Sequence, residues 1–202
     1  MTLNRQRGES YPLRRRDVVA ALLAERGDLL VVSGLGAPSW DVTAAGDHPA
    51  NFPLWGAMGG AAMVGLGLAL AQPARRVLVV TGDGEMLMGL GSLATVGVAR
   101  PGNLAIVVLD NERYGETGMQ ATHTAGPADL AAAARALGLP VTATASDEAG
   151  LAEALPLARN AEGPVFVVVK VRAETLPLVL PPKDGALLKD RFRAALLGAE
   201  GE

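Results

Sequence analysis

Short continuous runs of hydrophobic residues recur along the chain. Four of them are clear and rich in β-branched residues, and a fifth is weaker. Continuous apolar runs of this length are typical of strands that are buried on both faces of a parallel sheet. The sequence therefore predicts strands at Leu29–Ser33, Arg76–Thr81, Leu104–Asp110 and Pro164–Val171, with the weaker strand at Val141–Thr144.

Longer segments rich in Ala, Leu and Met separate these runs, and their lengths suit helices. An alternation of strands and helices favours an α/β fold, in which a parallel β-sheet is flanked by helices on both faces. The predicted helices are Asp17–Glu25, Gly56–Ala71, Met86–Val98, Pro127–Leu137 and Asp147–Asn160.

The pattern divides the chain into three parts. Residues 1–16 are interpreted as a flexible N-terminal lead-in, whose arginines at 14–16 form a solvated basic stretch rather than a patch that binds a partner. Residues 17–175 form one α/β domain. Residues 176–202 form a C-terminal extension, because its prolines prevent a regular element until a short helix at Gly185–Leu197.

Composition narrows the possible functions. The 202-residue chain has a net charge of −3 and no large basic block, so no nucleic-acid partner is expected. It contains no Cys, which excludes disulfides, iron–sulfur ligation by this chain and a cysteine nucleophile. The longest apolar stretch, residues 59–71, is too short to cross a bilayer, and the N-terminus lacks the apolar core of a signal peptide. We expect a soluble cytoplasmic protein without membrane contact.

Polar, glycine-rich loops follow three of the predicted strands, with the sequences SGLGAPSWD, TGDGE and LDNERYGETG. In open parallel sheets, ligands bind outside the carboxyl ends of the strands. All three loops should therefore lie at one edge of the sheet. The first loop also contains Gly34-Leu35-Gly36, which a dinucleotide site would use, but position 39 is Ser and the third glycine is missing.

The TGDGE loop carries the strongest chemical signal. Gly82 and Gly84 allow a sharp turn that exposes backbone N–H groups at the start of a helix, which favours an anion. An aspartate among them, Asp83, would repel a phosphate unless a hard divalent cation bridges the two. A second oxygen ligand is expected on a neighbouring strand end, where Asn111 follows the next strand, and the Arg113 carbonyl is a possible third.

A GDG turn followed by Asn after the next strand resembles thiamine diphosphate enzymes. The resemblance implies that Asp83, Asn111 and the Arg113 carbonyl bind Mg²⁺, and that N–H groups around Gly84 and Glu85 meet the cofactor diphosphate. It also implies that Met58, in the turn Gly56-Ala57-Met58-Gly59, holds the bent cofactor. The full set of implied cofactor contacts is Gly56, Ala57, Met58, Gly82, Asp83, Gly84, Glu85, Asn111, Arg113, Tyr114, Gly115, Glu116 and Thr117.

Three longer segments are similar to the phosphonopyruvate and sulfopyruvate decarboxylases, namely GDGEMLMGLGSLATVG, LDNERYGETGMQATHT and DHPANF with GAMGGA. The chain departs from that branch at Glu85, which stands where Ser is usual, and at His48, which stands where Arg is common. Met119 and Ala121 also change the loop after Asn111. These departures bear on the substrate rather than on the cofactor.

The family also needs a glutamate that activates the cofactor pyrimidine, and that residue belongs to a different domain. The chain is too short to hold both domains, so the resemblance implies a partner subunit of the pyrimidine-binding, α type. The leading hypothesis is the diphosphate-binding subunit of a two-chain 2-oxoacid decarboxylase. The alternatives are a carboligase, the β-type subunit of a thiamine-dependent oxidoreductase, and a non-catalytic subunit that binds thiamine diphosphate.

The two histidines of the chain are candidate acid–base groups, because imidazole titrates near neutral pH. His48 lies in the loop before Asn51, and His123 lies in the loop after Asn111. A surface hydrogen bond is an equally good interpretation of each.

Overall fold

The computed structural model of the protein describes residues 4, 6–54 and 56–198. Its centre is a six-stranded parallel sheet, formed by β1 (Leu30–Ser33), β2 (Asn51–Pro53), β3 (Val77–Gly82), β4 (Leu104–Asp110), β7 (Val141–Ala145) and β8 (Val165–Lys170). The order of the strands in this sheet is β2-β1-β3-β4-β8-β7. A separate antiparallel pair is formed by β5 (Arg113–Tyr114) and β6 (Gln120–Ala121). The five strands that the sequence predicts are all present within a residue or two.

Eight helices surround this sheet in the described part of the chain: α1 (Arg15–Leu23), α2 (Ala37–Ala44), α3 (Ala61–Ala71), α4 (Asp83–Met88), α5 (Ser92–Ala99), α6 (Leu130–Ala136), α7 (Glu148–Asn160) and α8 (Gly185–Leu197). Strand side chains alternate between two hydrophobic cores. Val79 and Ile106 face the core formed with α3, α5 and α6, whereas Val80 and Val107 face the core formed with α1 and α7. Helices therefore cover both faces of the sheet, and the predicted fold class is confirmed.

The structure differs from the predicted elements in the segment before α3. α2 and β2 both lie in segments that were expected to be loops, and α3 begins at Ala61 rather than at residue 56. The helix predicted at Met86–Val98 is two helices, since the glycines at 89 and 91 lie at the junction of α4 and α5. Glycine is required at position 89, because a Cβ there would lie 2.5 Å from the Gly59 carbonyl oxygen.

The N-terminal residues described here pack against the domain, contrary to the expected lead-in. A 3-10 helix spans Arg7–Ser10, and α1 begins at Arg15 rather than at Asp17. Backbone bonds of 2.8 Å join this segment to the chain after β8, from Ala173 N to the Gly8 oxygen and from Arg172 N to the Leu13 oxygen. The structural unit thus includes residues 7–16.

The C-terminal helix has the predicted bounds and lies against the edge strand β2. Phe192 of α8 contacts Phe52, with ring centroids 5.0 Å apart, and is buried in the core. Arg191 forms an ion pair with Asp47 at 2.6 Å. The C-terminal extension therefore covers the edge of the sheet that β2 forms. No helix in the described ranges is long and apolar enough to cross a membrane.

Candidate cofactor-binding site

The carboxyl ends of the central strands open into one pocket. Gly82 at the end of β3 pairs with Leu109 of β4, so Asp83 and Asn111 leave adjacent strands at nearly the same level. This arrangement was predicted from the positions of the two residues in the sequence. The pocket is lined by Arg15, Leu35, Ala37, Pro38, Met58, Gly82, Asp83, Gly84, Glu85, Leu109, Asn111, Arg113, Tyr114, Gly115, Glu116, Thr117 and Val171.

Asp83 is the centre of a buried polar network. Its Oδ2 atom accepts hydrogen bonds from the hydroxyls of Thr122 and Thr124, and the Thr124 hydroxyl also lies 2.8 Å from Asp110 Oδ1. Burial and the neighbouring Asp110 raise the pKa of Asp83 to about 7, although the two threonine hydrogen bonds oppose the shift. Lys170 compensates Asp110 with an ion pair of 2.7 Å.

The segment after β4 lines the same pocket. The Asn111 side-chain oxygen accepts a hydrogen bond of 2.9 Å from the Arg113 backbone N–H, which closes a tight turn. Between them, Glu112 is fully buried and has a φ of 61°, in the left-handed region. Asn111 and Arg113 both line the pocket beside Asp83.

This set of groups suits Mg²⁺ held jointly with a diphosphate. Within the described residues, no three His, Cys, Asp or Glu side chains cluster closely enough to hold a metal ion by themselves. Asp83 and Asn111 supply two side-chain oxygens, and a six-coordinate hard cation would take its remaining ligands from carbonyl, water and phosphate oxygens. The residues present therefore fit the metal and the cofactor together.

Glu85 lies beneath the pocket and connects two strand ends. Its Oε2 atom accepts hydrogen bonds of 2.9 Å from both the Leu35 backbone N–H and the Thr81 hydroxyl. Its Oε1 atom is buried without a hydrogen-bond partner, although the amides of Gly59 and Ala61 also act on this carboxylate. Burial raises the pKa of Glu85 above its usual range, and these donors oppose the shift.

The loop from Tyr114 to Thr117 covers the pocket. The Tyr114 ring lies over Gly84, since a Cβ at Gly84 would be 2.5 Å from the ring. Glu116 accepts a hydrogen bond of 3.4 Å from Trp40 Nε1, which ties the loop to α2. Thr117 donates its hydroxyl to Gln120 at 2.9 Å and so closes the β5–β6 hairpin.

Of the predicted turn at residues 56–59, only one residue lines the pocket. Met58 lines the pocket and is 37% exposed. Gly59 follows it with a φ of 85°, and a Cβ there would be 3.3 Å from Met88. Gly56 and Ala57 are exposed and do not line the pocket. Their predicted cofactor contacts stay predictions.

Neither histidine lies in the pocket. His48 precedes β2, where its Nδ1 atom accepts a hydrogen bond of 3.1 Å from Ala50 N, and burial together with Arg26 lowers its pKa. His123 is exposed in a short 3-10 helix. Both imidazoles lie outside the pocket residues of this chain, and the acid–base roles expected of them stay predictions.

Six residues that line the pocket were not predicted from the sequence, and two of them, Leu109 and Val171, lie at the carboxyl ends of β4 and β8. Leu35, Ala37 and Pro38 belong to the loop after β1, whose polar, glycine-rich sequence was the available signal. Arg15 had been assigned to the solvated lead-in. It is buried, its Nη1 atom is 3.0 Å from the Asp41 carboxylate, and its Nε atom has no hydrogen-bond partner.

Comparison with protein families agrees with this geometry. Residues 40–169 match the family model of the thiamine pyrophosphate enzyme C-terminal domain, which binds thiamine pyrophosphate. Thiamine pyrophosphate is another name for thiamine diphosphate. The chain belongs to the thiamine pyrophosphate enzyme family. The family domain implies thiamine diphosphate as the cofactor, as predicted.

Curated relatives confirm the predicted branch of the thiamine pyrophosphate enzymes. The chain is 38% identical to the sulfopyruvate decarboxylase subunit beta of Methanothermobacter thermautotrophicus over 93% of its own length and 97% of the relative's. It is 43% identical to the phosphonopyruvate decarboxylase of Streptomyces viridochromogenes over 86% of its own length but only 44% of that protein's. The chain is thus similar to a separate β subunit along nearly its whole length.

A solved structure supports the fold. The X-ray structure of a proposed thiamin diphosphate-dependent enzyme from Mycobacterium smegmatis superposes with a TM-score of 0.69 at 25% identity. The match covers 81% of this chain and 32% of the other. The parallel sheet described above therefore has the same fold as about a third of that longer chain.

Proposed function

We propose that this chain is the diphosphate- and Mg²⁺-binding subunit of a two-chain thiamine diphosphate-dependent 2-oxoacid decarboxylase. The observation that carries the proposal is the position of Asp83 and Asn111, which leave neighbouring strands and line one pocket. Two side-chain oxygens without a third acidic ligand suit a cation that is completed by the cofactor diphosphate.

Each group in the pocket has a proposed task. Asp83, Asn111 and the Arg113 carbonyl hold Mg²⁺, while the N–H groups at the start of α4 receive the diphosphate. Met58 supports the cofactor rings, for which its slim and adaptable side chain is suited. When bound, thiamine diphosphate supplies the electron sink for loss of CO₂ from a 2-oxo acid. The protein supplies orientation and excludes water around that centre.

An α-type partner subunit is part of this proposal. The curated β subunit that the chain resembles is named as one subunit of its enzyme. Large apolar side chains are also left exposed on α3 and α5: Met63, Val64, Leu70 and Val98. Exposed apolar groups on two adjacent helices suit a subunit interface. We propose that the pyrimidine-binding partner docks there and brings the activating glutamate, and that the complex is cytoplasmic.

The proposed substrate is a small 2-oxo acid with a second anionic group, such as a sulfonate or a phosphonate. Support comes from the printed activities of the relatives, sulfopyruvate and phosphonopyruvate decarboxylase. Glu85, at a position where this branch usually has Ser, lines the pocket, and this departure bears on which acid is bound.

The activity of the complex that this chain forms with its partner tests the proposal. The chain is purified from its native source with whatever subunit accompanies it, and CO₂ release is measured with sulfopyruvate, phosphonopyruvate and pyruvate in the presence of thiamine diphosphate and Mg²⁺. We expect turnover of sulfopyruvate or phosphonopyruvate in preference to pyruvate, and its loss in Asp83→Ala. A condensed product would indicate a carboligase, and reduction of an added electron acceptor would indicate an oxidoreductase. Cofactor binding without any turnover would overturn the catalytic proposal in favour of a binding subunit.

A further inference from the structure

A buried glutamate stands between the two proposed metal-binding residues of the loop after β4. Glu112 has no exposed surface, and its backbone φ of 61° is one that side-chain-bearing residues rarely adopt. Such a conformation is unfavourable by itself, so the surroundings must hold it. The backbone at 112 also decides where Asn111 and Arg113 point.

Three donors converge on one oxygen of this side chain. Glu112 Oε1 accepts hydrogen bonds of 2.8 Å from Arg7 Nε and from the Tyr11 hydroxyl, and one of 3.2 Å from Lys170 Nζ. Two of the donors are cations that form ion pairs with the same oxygen, at 2.6 Å from Arg7 Nη2 and 3.2 Å from Lys170 Nζ. The Glu112 side chain is therefore anchored by residues from two other segments of the chain.

The donors belong to segments that pack directly against residues 111–113, the loop after β4. Arg7 also donates to the Thr124 backbone oxygen at 2.6 Å, next to the threonine network of Asp83. A Cβ at Gly8 would lie 2.7 Å from the Asn111 carbonyl oxygen, so the N-terminal segment is in contact with the loop. The Glu112 backbone is fixed as well, because its N–H donates to Asp110 Oδ1 at 3.1 Å and its oxygen accepts from Thr122 N at 3.0 Å.

We propose that Glu112 is a positioning residue of the metal site, anchored by Arg7, Tyr11 and Lys170 so that the left-handed backbone at 112 directs Asn111 and the Arg113 carbonyl toward Mg²⁺. The inference rests on the proposed function, which supplies the metal. It assigns a positioning role to Arg7 and Tyr11, which do not themselves line the cofactor pocket.

Two truncations of the same side chain separate positioning from simple packing. Glu112→Ala removes the anchor and keeps a residue that resists positive φ, whereas Glu112→Gly removes the anchor but adopts positive φ freely. Binding of Mn²⁺, a paramagnetic substitute for Mg²⁺, is measured by electron paramagnetic resonance on the full chain with saturating thiamine diphosphate. We expect a loss of about tenfold to a hundredfold in Mn²⁺ affinity for Glu112→Ala, and recovery of most of that loss in Glu112→Gly.

A merely structural role predicts a different result. Both variants would then be less stable than the wild type, but both would bind Mn²⁺ like the wild type once folded. That result overturns the proposal. Tyr11→Phe, which removes one donor, keeps the test decisive if a Glu112 variant does not fold, because it should weaken Mn²⁺ binding with little change in melting temperature. Unchanged Mn²⁺ binding in Tyr11→Phe would then overturn the proposal.

The wild type and Asp83→Ala separate this inference from the proposed function. If the wild type binds no Mn²⁺, or if Asp83→Ala binds it equally well, the metal site itself is wrong. If Asp83→Ala loses Mn²⁺ while Glu112→Ala retains it fully, the metal site stands and only the positioning role fails.

Discussion

The Glu85 carboxylate occupies the space into which a side chain at Gly34 would project. A Cβ at Gly34 would lie 1.7 Å from Glu85 Oε2 and 2.6 Å from its carboxyl carbon. The φ of Gly34 is not in the left-handed region, so space rather than backbone conformation requires glycine here. The two residues are therefore a matched pair that joins the ends of β1 and β3.

The pair predicts a coupled stability effect. Gly34→Ala should lower the free energy of unfolding by about 1–3 kcal/mol, because the methyl group displaces a buried carboxylate. In a Glu85→Ser background the same change should cost much less. Urea unfolding of the four proteins measures the coupling. Gly67→Ala is the matched control, since its Cβ meets nothing within 4 Å and the change should slightly stabilise α3. An equal cost of Gly34→Ala in both backgrounds would contradict the pairing.

Glu85 also predicts a pH dependence of stability. Its pKa in the folded protein is raised above the ordinary value of 4.5, so the unfolded chain ionises first as pH increases. The wild type should lose stability relative to Glu85→Gln as pH rises past the ordinary value, until pH exceeds the raised pKa. Urea unfolding of both proteins between about pH 4 and about pH 8 measures the difference. A difference that is constant, or that favours the wild type increasingly with pH, would refute the assignment.

Arg15 should contribute to diphosphate binding. It lines the pocket with a buried guanidinium, whereas the adjacent Arg14 is half exposed and pairs with Glu174 at the surface. Loss of a charge-assisted hydrogen bond costs about 1.5–3 kcal/mol, so Arg15→Met should weaken thiamine diphosphate binding about tenfold or more in titration calorimetry. Arg15→Met is made together with Asp41→Asn, because Arg15→Met alone would leave the buried Asp41 carboxylate with one ion-pair partner fewer. Arg14→Met is the control and should bind normally; equal affinity of all variants would exclude the role.

The C-terminal helix should stabilise the domain through Phe192. This side chain is 7% exposed and contacts Phe52, while Leu187 on the same helix is 53% exposed. Phe192→Ala should cost about 3 kcal/mol or more in the free energy of unfolding, and Leu187→Ala should cost little. Chemical denaturation compares them. Equal small effects would mean that α8 does not stabilise the fold.

The sequence was sufficient for elements with strong local patterns. β3 and β4 are continuous apolar runs that Asp83 and Asn111 directly follow. α2 was missed because its sequence contains Pro38 near the start and a polar residue, Asp41, that is buried. The tertiary ion pairs of Asp41 with Arg15 and Arg16 account for that burial, and no local pattern in the sequence reveals them.

The same limit applies to the site. Asp83 and Asn111 were predictable because each directly follows a strand. Glu112 was not, because its anchors at Arg7, Tyr11 and Lys170 come from distant segments that meet only in the folded chain. The histidines show the converse: their closeness in sequence to motif residues did not bring them into the pocket.

The central claim is that Asp83 and Asn111 hold Mg²⁺ and, through it, the cofactor diphosphate. The most direct test is titration calorimetry of thiamine diphosphate binding, first with Mg²⁺ present and then with a chelator. It compares the wild type with Asp83→Ala, and Asp28→Ala, at an exposed position, is the control. The account predicts Mg²⁺-dependent binding in the wild type and the control, and a loss of about a hundredfold or more in Asp83→Ala. Binding that is equally tight without Mg²⁺, or unchanged in Asp83→Ala, would contradict it.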